Sequence, residues 1–427
     1  MSTAQEYDVA IVGASIAGCA TAILLAKRGA RVGLIEQQHD WRAYKKVCSH
    51  FIQASATHLI ERIGLASRIE AAGGLRNYGE FWTEWGWIRP PAAPKRRYGY
   101  NIRRETLDPI IRALAAETPG VDLMLGYSVD KLLVDGGRPR GVRAEGRHSK
   151  SVTIGARLIV GADGRSSRIA QLANMPKREW RNGRFTYLAY YRDLPIAKGS
   201  ASQMWLLNPD VAYACPNDDG VMMLAAMVTS DKRDTWKSDV EGNFVRMFQS
   251  IPGAPSLTQG RRISSFIGAV GLSHIARAVA RPGLALVGDA ALAADPLWGV
   301  GCGWAFQSAG WLADCVGDEL DRPSSLDRAL KHYRNRHRWE LGGHAFLISG
   351  YASGRRFNVP EKLMLRAAAR NSQCAGYLAR FADRTIGVSQ FLAPTAIARA
   401  IAANVFHLPA AVRTQSSCAA HAGRQEG

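Results

Sequence analysis

Apolar and polar positions at the N-terminus follow a strand, turn, helix, strand rhythm. Tyr7-Asp8-Val9-Ala10-Ile11-Val12 reads as a buried strand. Gly13 to Gly18 reads as a tight turn, and the Ala- and Leu-rich stretch Cys19–Arg28 as a helix stopped by Gly29. Val32–Glu36 is the next strand, so a β-α-β unit with parallel strands is complete by residue 36.

Further along, residues 54–64 and 105–117 predict helices and 121–125 a strand. Residues 127–160 alternate around Gly136-Gly137, the pattern of a β-meander. Residues 179–270 lose the strand–helix rhythm and carry short β-like runs such as Val221–Val228. A buried strand returns at 284–288, a helix at 301–320, and a mostly helical pattern at 324–406. The predicted class is α/β (α+β). A discontinuous nucleotide-binding domain takes 1–75, 101–178 and 271–340. A sheet-rich domain takes 76–100 and 179–270, helices take 341–410, and 411–427 is expected to be a disordered tail.

Composition narrows the class. The chain has 427 residues, 47% apolar and 21% charged, which suits a globular protein of two or three domains. No apolar run is long enough for a membrane span. The formal charge of +19 attracts anions, but the basic residues are scattered and no nucleic-acid motif appears. Cysteines stand at 19, 48, 215, 302, 315, 374 and 418 without a CxxC pair, which argues against a zinc site and a disulfide framework. With no signal peptide legible, a reducing cytoplasm is expected.

Three motifs carry candidate chemistry. Gly13, Ser15, Ile16, Ala17 and Gly18 form a turn whose backbone N–H groups suit a pyrophosphate, with Ser15 where a middle glycine is usual. Glu36 can accept hydrogen bonds from a ribose diol and would repel a 2′-phosphate. Asp163-Gly164 and Gly288-Asp289 each follow a strand, where an Asp taken alone reads as a helix cap.

In this order and spacing the motifs resemble the flavoprotein monooxygenases of the para-hydroxybenzoate hydroxylase type. Their wider superfamily includes geranylgeranyl reductases and flavin-dependent halogenases. The resemblance covers roughly residues 7–340 and implies a Rossmann-like FAD-binding domain with an inserted β-sheet substrate domain and C-terminal helices. It gives the first turn and Glu36 to the FAD pyrophosphate and adenosine ribose. It gives Arg104, from Arg104-Glu105-Thr106-Leu107-Asp108, to the flavin side, and Asp163 and Gly164 to FAD and NAD(P)H. Asp289, after Gly288, takes the ribitol, and Pro296, Gly299, Val300 and Gly301 the flavin pyrimidine. Lys46-Val47-Cys48-Ser49-His50 sits where geranylgeranyl reductases resemble Lys-x-Cys-Gly-Glu-Gly, which adds Lys46 to the cofactor residues.

Cys48 and His50 are the catalytic candidates. His50 suits acid–base work through its reference pKa. No second cysteine adjoins Cys48 in sequence, which favours a small buried residue over a redox partner. Trp85-Gly86-Trp87-Ile88-Arg89-Pro90 is similar to a halogenase motif, but it precedes Asp163-Gly164 and reads as packing aromatics. The implied activity is NAD(P)H- and O2-dependent hydroxylation or epoxidation of an aromatic or unsaturated small molecule, free or carrier-bound, and anionic if the charge is a guide. A partner flavin reductase is an alternative electron source. Rival readings are a reductase or dehydrogenase of the geranylgeranyl reductase type, a halogenase, and a flavin-bearing binding module.

Overall fold

The computed structural model describes residues 4–91, 97–146, 151–195 and 201–406, so the expected tail at 411–427 lies outside the described residues. A parallel sheet forms the centre of the nucleotide-binding part. Its strands run in the order Leu284–Leu286, Val152–Gly161, Ala4–Val12, Val32–Glu36, Val121–Leu125. Helix Ile16–Ala26 is buried along its whole length, because helices Arg104–Ala116 and Gly301–Val316 pack on it. Its sequence is accordingly apolar all round. Strands Tyr127–Asp135 and Arg138–Gly146 form the meander, turning through Gly136-Gly137, and the second of them pairs antiparallel with the start of Val152–Gly161.

A second sheet is built from Arg184–Arg192, Ser202–Leu206, Val211–Pro216 and Met222–Thr229. Strand Gly79–Thr83 joins it from far upstream, lying parallel to Ser202–Leu206. Helix Val240–Ser250 covers one face through Phe244 and Phe248. The other face packs against helices Val359–Arg370, Ser372–Ala382 and Pro394–Val405. Both faces being covered, Met222–Thr229 is buried at every position and its sequence is a continuous apolar run. Trp87, on strand Gly86–Ile88 beside Gly79–Thr83, packs edge-on to the fully buried Trp205 at 5.7 Å with Arg89 over its ring, so it serves the second sheet. Helix Pro323–Ala352 runs unbroken through position 340 and links the two parts. Among the described residues no helix is long and apolar enough to cross a membrane.

Candidate functional site

The first turn is set by close packing. Gly13 has φ +104°, and a Cβ there would lie 2.5 Å from the Ala162 carbonyl oxygen. A Cβ on Gly18 would lie 1.8 Å from the Gly13 carbonyl oxygen. Only glycine lets the turn lie flat between two strand ends. Ile16 and Ala17 open the helix, whose first turn holds no acidic residue and whose Ser15 makes no side-chain cap. That leaves an uncompensated positive helix end. Glu36 closes the next strand, its carboxylate accepting from the Ala14 N–H at 2.8 Å and the Gln38 N–H at 2.9 Å.

Ser15 turns out to have a use for its hydroxyl. It accepts a 2.7 Å hydrogen bond from Arg104 Nη2. Arg104 is buried at the start of its helix and grips Asp108 with two bonds, of 2.7 and 2.9 Å. Burial alone would lower its pKa; the Asp108 carboxylate outweighs that and keeps Arg104 firmly charged. Asp108 also accepts the Lys45 backbone N–H at 3.1 Å. Arg112, unmarked in the sequence, donates to the carbonyls of Ala14, Trp41 and Ala43 and ties the 41–45 segment to the turn.

Asp289, after Gly288, sits in the 3-10 turn Gly288–Ala290 that follows strand Leu284–Leu286 and packs against helix Gly301–Val316. Its partner is Lys45, at 2.7 Å, and not the neighbouring Lys46, which is exposed and makes no ion pair among the described residues. Burial alone would raise the Asp289 carboxyl; the Lys45 ammonium outweighs it and holds it below the usual range. Pro296–Trp298 forms a 3-10 turn capped by Asp295, followed by Gly299 at φ +60° and the buried Val300. A Cβ on Gly299 would approach Ser49 Oγ at 3.2 Å, and one on Gly301 would stand 3.9 Å from an Asp289 oxygen. The third motif therefore closes on both Asp289 and the 48–50 segment.

Asp163 lies against the glycine turn, its Cα 3.0 Å from where a Gly13 Cβ would stand, with Gly164 following at φ +81°. Asp163 accepts from Ser167 Oγ at 2.5 Å and from the Ile169 N–H at 3.0 Å, so its carboxylate shapes the start of helix Arg168–Leu172. Burial raises its pKa in spite of those bonds.

His50 has φ +61° and is 2% exposed. Its Nδ1 accepts from the Arg104 N–H at 3.0 Å, which puts the proton of the neutral ring on Nε2. That proton points at Tyr190 Oη, 2.6 Å away on the second sheet. Burial lowers the His50 pKa and raises that of Tyr190, so both stay neutral. Tyr190 thus accepts from His50 and keeps its own O–H to donate elsewhere. Val47, Ile267 and Trp298 are partly buried on the same apolar cluster as Tyr190, with Ile267 on the strand paired to that of Tyr190. Cys48 Sγ lies 3.6 Å from Cys302 Sγ, a neighbour that only the fold supplies.

The glycine turn over a helix end, the acid at the second strand's end and the Lys45–Asp289 pair are a donor set for a dinucleotide with an anionic centre and sugar hydroxyls. The chain belongs to the family described as the FAD binding domain, whose model matches residues 6–339, and is an FAD-dependent oxidoreductase. It is 25% identical to a tryptophan 2-halogenase of Chondromyces crocatus, over 80% of this chain and 68% of the relative. It is 23% identical to a digeranylgeranylglycerophospholipid reductase of Thermoplasma acidophilum, over 77% and 82%. It is 25% identical to a kynurenine 3-monooxygenase of Xanthomonas oryzae, over 87% and 85%. A solved flavoprotein/dehydrogenase from Cytophaga hutchinsonii superposes with TM-score 0.76 at 16% identity, covering 94% of this chain and 98% of that one. The fold class and the superfamily resemblance read from the sequence are thereby borne out.

Proposed function

We propose that this protein is an FAD-dependent monooxygenase that uses NAD(P)H and O2 to hydroxylate or epoxidise an aromatic or unsaturated small molecule. The supporting observation is the seam around Tyr190. It offers one neutral hydroxyl donor among aromatic and aliphatic side chains, a surface suited to a flat apolar substrate bearing a polar acceptor.

The residues divide the work. Gly13, Ser15, Ile16, Ala17 and Gly18 receive the pyrophosphate at the helix end, and Glu36 the adenosine ribose. Arg104 braces this turn through Ser15. Asp289, exchanging part of its bond to Lys45, accepts from the ribitol hydroxyls. Gly299, Val300 and Gly301 present backbone N–H groups at the start of a sixteen-residue helix, where negative charge is stabilised. FAD, when bound, supplies the two-electron redox chemistry and the reaction with O2. His50 orients the Tyr190 hydroxyl, and Tyr190 orients the substrate. The flanking Ile267 and Trp298 exclude water from the reacting centre.

NAD(P)H, or a partner flavin reductase, is the electron source in this reading, and the cytoplasm its place. The charge of +19 favours an anionic or carrier-bound substrate. The test is product mass after turnover with aromatic and polyene candidates, run with and without bromide. Gain of one oxygen supports the proposal. Gain of a halogen, or of two hydrogens without O2, replaces it with the halogenase or the reductase reading.

A further inference from the structure

Separated by 254 positions, Cys48 and Cys302 meet where the 45–50 segment crosses the start of helix Gly301–Val316. Their sulfurs are 3.6 Å apart and both are free thiols. A disulfide needs about 2.0 Å, so a small shift of the side chains separates contact from bond. The surroundings are not those of two thiols filling a core gap. The His50 N–H donates to Cys48 Sγ at 3.3 Å, and Arg104 Nη1 stands 3.9 Å from Cys302 Sγ. The two sulfurs differ in access: Cys48 is half-buried and Cys302 is 5% exposed.

We propose that Cys48 and Cys302 are a redox-active dithiol that exchanges two electrons with the bound flavin. In the oxidising direction both S–H bonds break and one S–S bond forms. The two thiols give up two electrons and two protons; oxidised FAD takes both electrons and one proton, and the other proton leaves to solvent. In the opposite direction reduced flavin restores the thiols. The pair is thus a store for a second pair of electrons beside the cofactor. The asymmetry suits it. The bond from Cys302, with the Arg104 and Lys45 cations, outweighs burial and pulls the Cys48 thiol well below its ordinary pKa, while Cys302 is pushed up as the resolving thiol.

The proposal rests on the FAD reading above, so its experiment separates the two. FAD-loaded protein is oxidised with diamide, freed of excess reagent and titrated anaerobically with dithionite. A parallel sample is alkylated and mapped by mass spectrometry. The expected result is a Cys48–Cys302 linked peptide and uptake of four electrons per flavin. Cys48→Ser and Cys302→Ser should each take up two, while Cys374→Ser, in the C-terminal helices, should still take up four. Two electrons in the wild type, or both cysteines recovered as alkylated thiols, overturns the proposal. Protein that retains no FAD on reconstitution defeats the FAD reading instead, and the peptide map then decides the thiol pair alone.

Discussion

Arg104 shows how much hangs on one side chain. It holds Ser15 of the first turn, Asp108 of its own helix and, through its backbone, His50. Removing it leaves the Asp108 carboxylate buried without its cation. Arg104→Met should cost about 3–5 kcal/mol in urea unfolding and abolish FAD retention. Arg104→Lys keeps the charge but loses the two-pronged grip, and should lower FAD affinity at least tenfold in a fluorescence titration. Tyr190→Phe deletes the hydroxyl and leaves the buried His50 Nε2–H without its acceptor. It should cost about 1–3 kcal/mol in urea unfolding, leave FAD affinity unchanged and lower kcat/KM by about tenfold or more. Arg104, Glu36 and Asp289 were legible because each closes or opens an element inside a recognisable motif. Lys45 was missed in favour of Lys46, since one residue of phase in a loop is not set by any periodicity. Tyr190 and Cys302 were out of reach as partners of His50 and Cys48, because pairings across 140 and 254 positions are made by packing alone.

Elements tell the same story by a different route. The β-α-β unit was readable because its helix, turn and strands obey local rules: an apolar run, a glycine turn, a glycine stop. Gly13→Ala should therefore fail as an element. Its Cβ meets backbone, not a movable side chain, and φ +104° is hostile to any L residue. The variant should lose FAD binding and drop about 1–3 kcal/mol in stability, measured by thermal shift with and without FAD. The strands of the second sheet gave a weaker signal. Covered on both faces, Val211–Pro216 and Met222–Thr229 do not alternate, and a continuous apolar run is equally a buried helix by pattern. Strand Gly79–Thr83 was marked only by its aromatics, and its parallel partner lies more than a hundred residues away.

At the scale of the molecule, buried histidines set the response to acid. Burial holds His337 and His274 at about 4 and, with Arg384 nearby, His344 at about 3. An unfolded chain protonates histidine near 6.5, so below that pH it takes up protons that the fold refuses. Their contribution is intact above about pH 6.5 and is lost as the pH falls towards 4. Asp295, raised to about 6 by burial, acts the other way, since the fold holds its proton more tightly than the unfolded chain. Counting His50 with the lowered histidines and Asp163 with the raised carboxyls, four histidines against two carboxyls fix the sign. The unfolding midpoint should fall between about pH 7 and about pH 4.5, and His337→Gln should flatten that slope in a thermal-shift series.

The interleaving of the two sheets has a consequence for synthesis. Strand Val152–Gly161 waits for Leu284–Leu286 on its open side, and Gly79–Thr83 waits for Ser202–Leu206. Until about residue 290 has cleared the ribosome, at ~5–20 residues per second on the order of 15–60 s, the first sheet cannot close that edge, and until past residue 206 the second cannot seat Gly79–Thr83. Apolar strands stand exposed through that interval, the condition that recruits chaperones to a nascent chain. A fragment ending at residue 178 should for the same reason aggregate on expression, although it contains the whole glycine turn, Glu36 and Arg104.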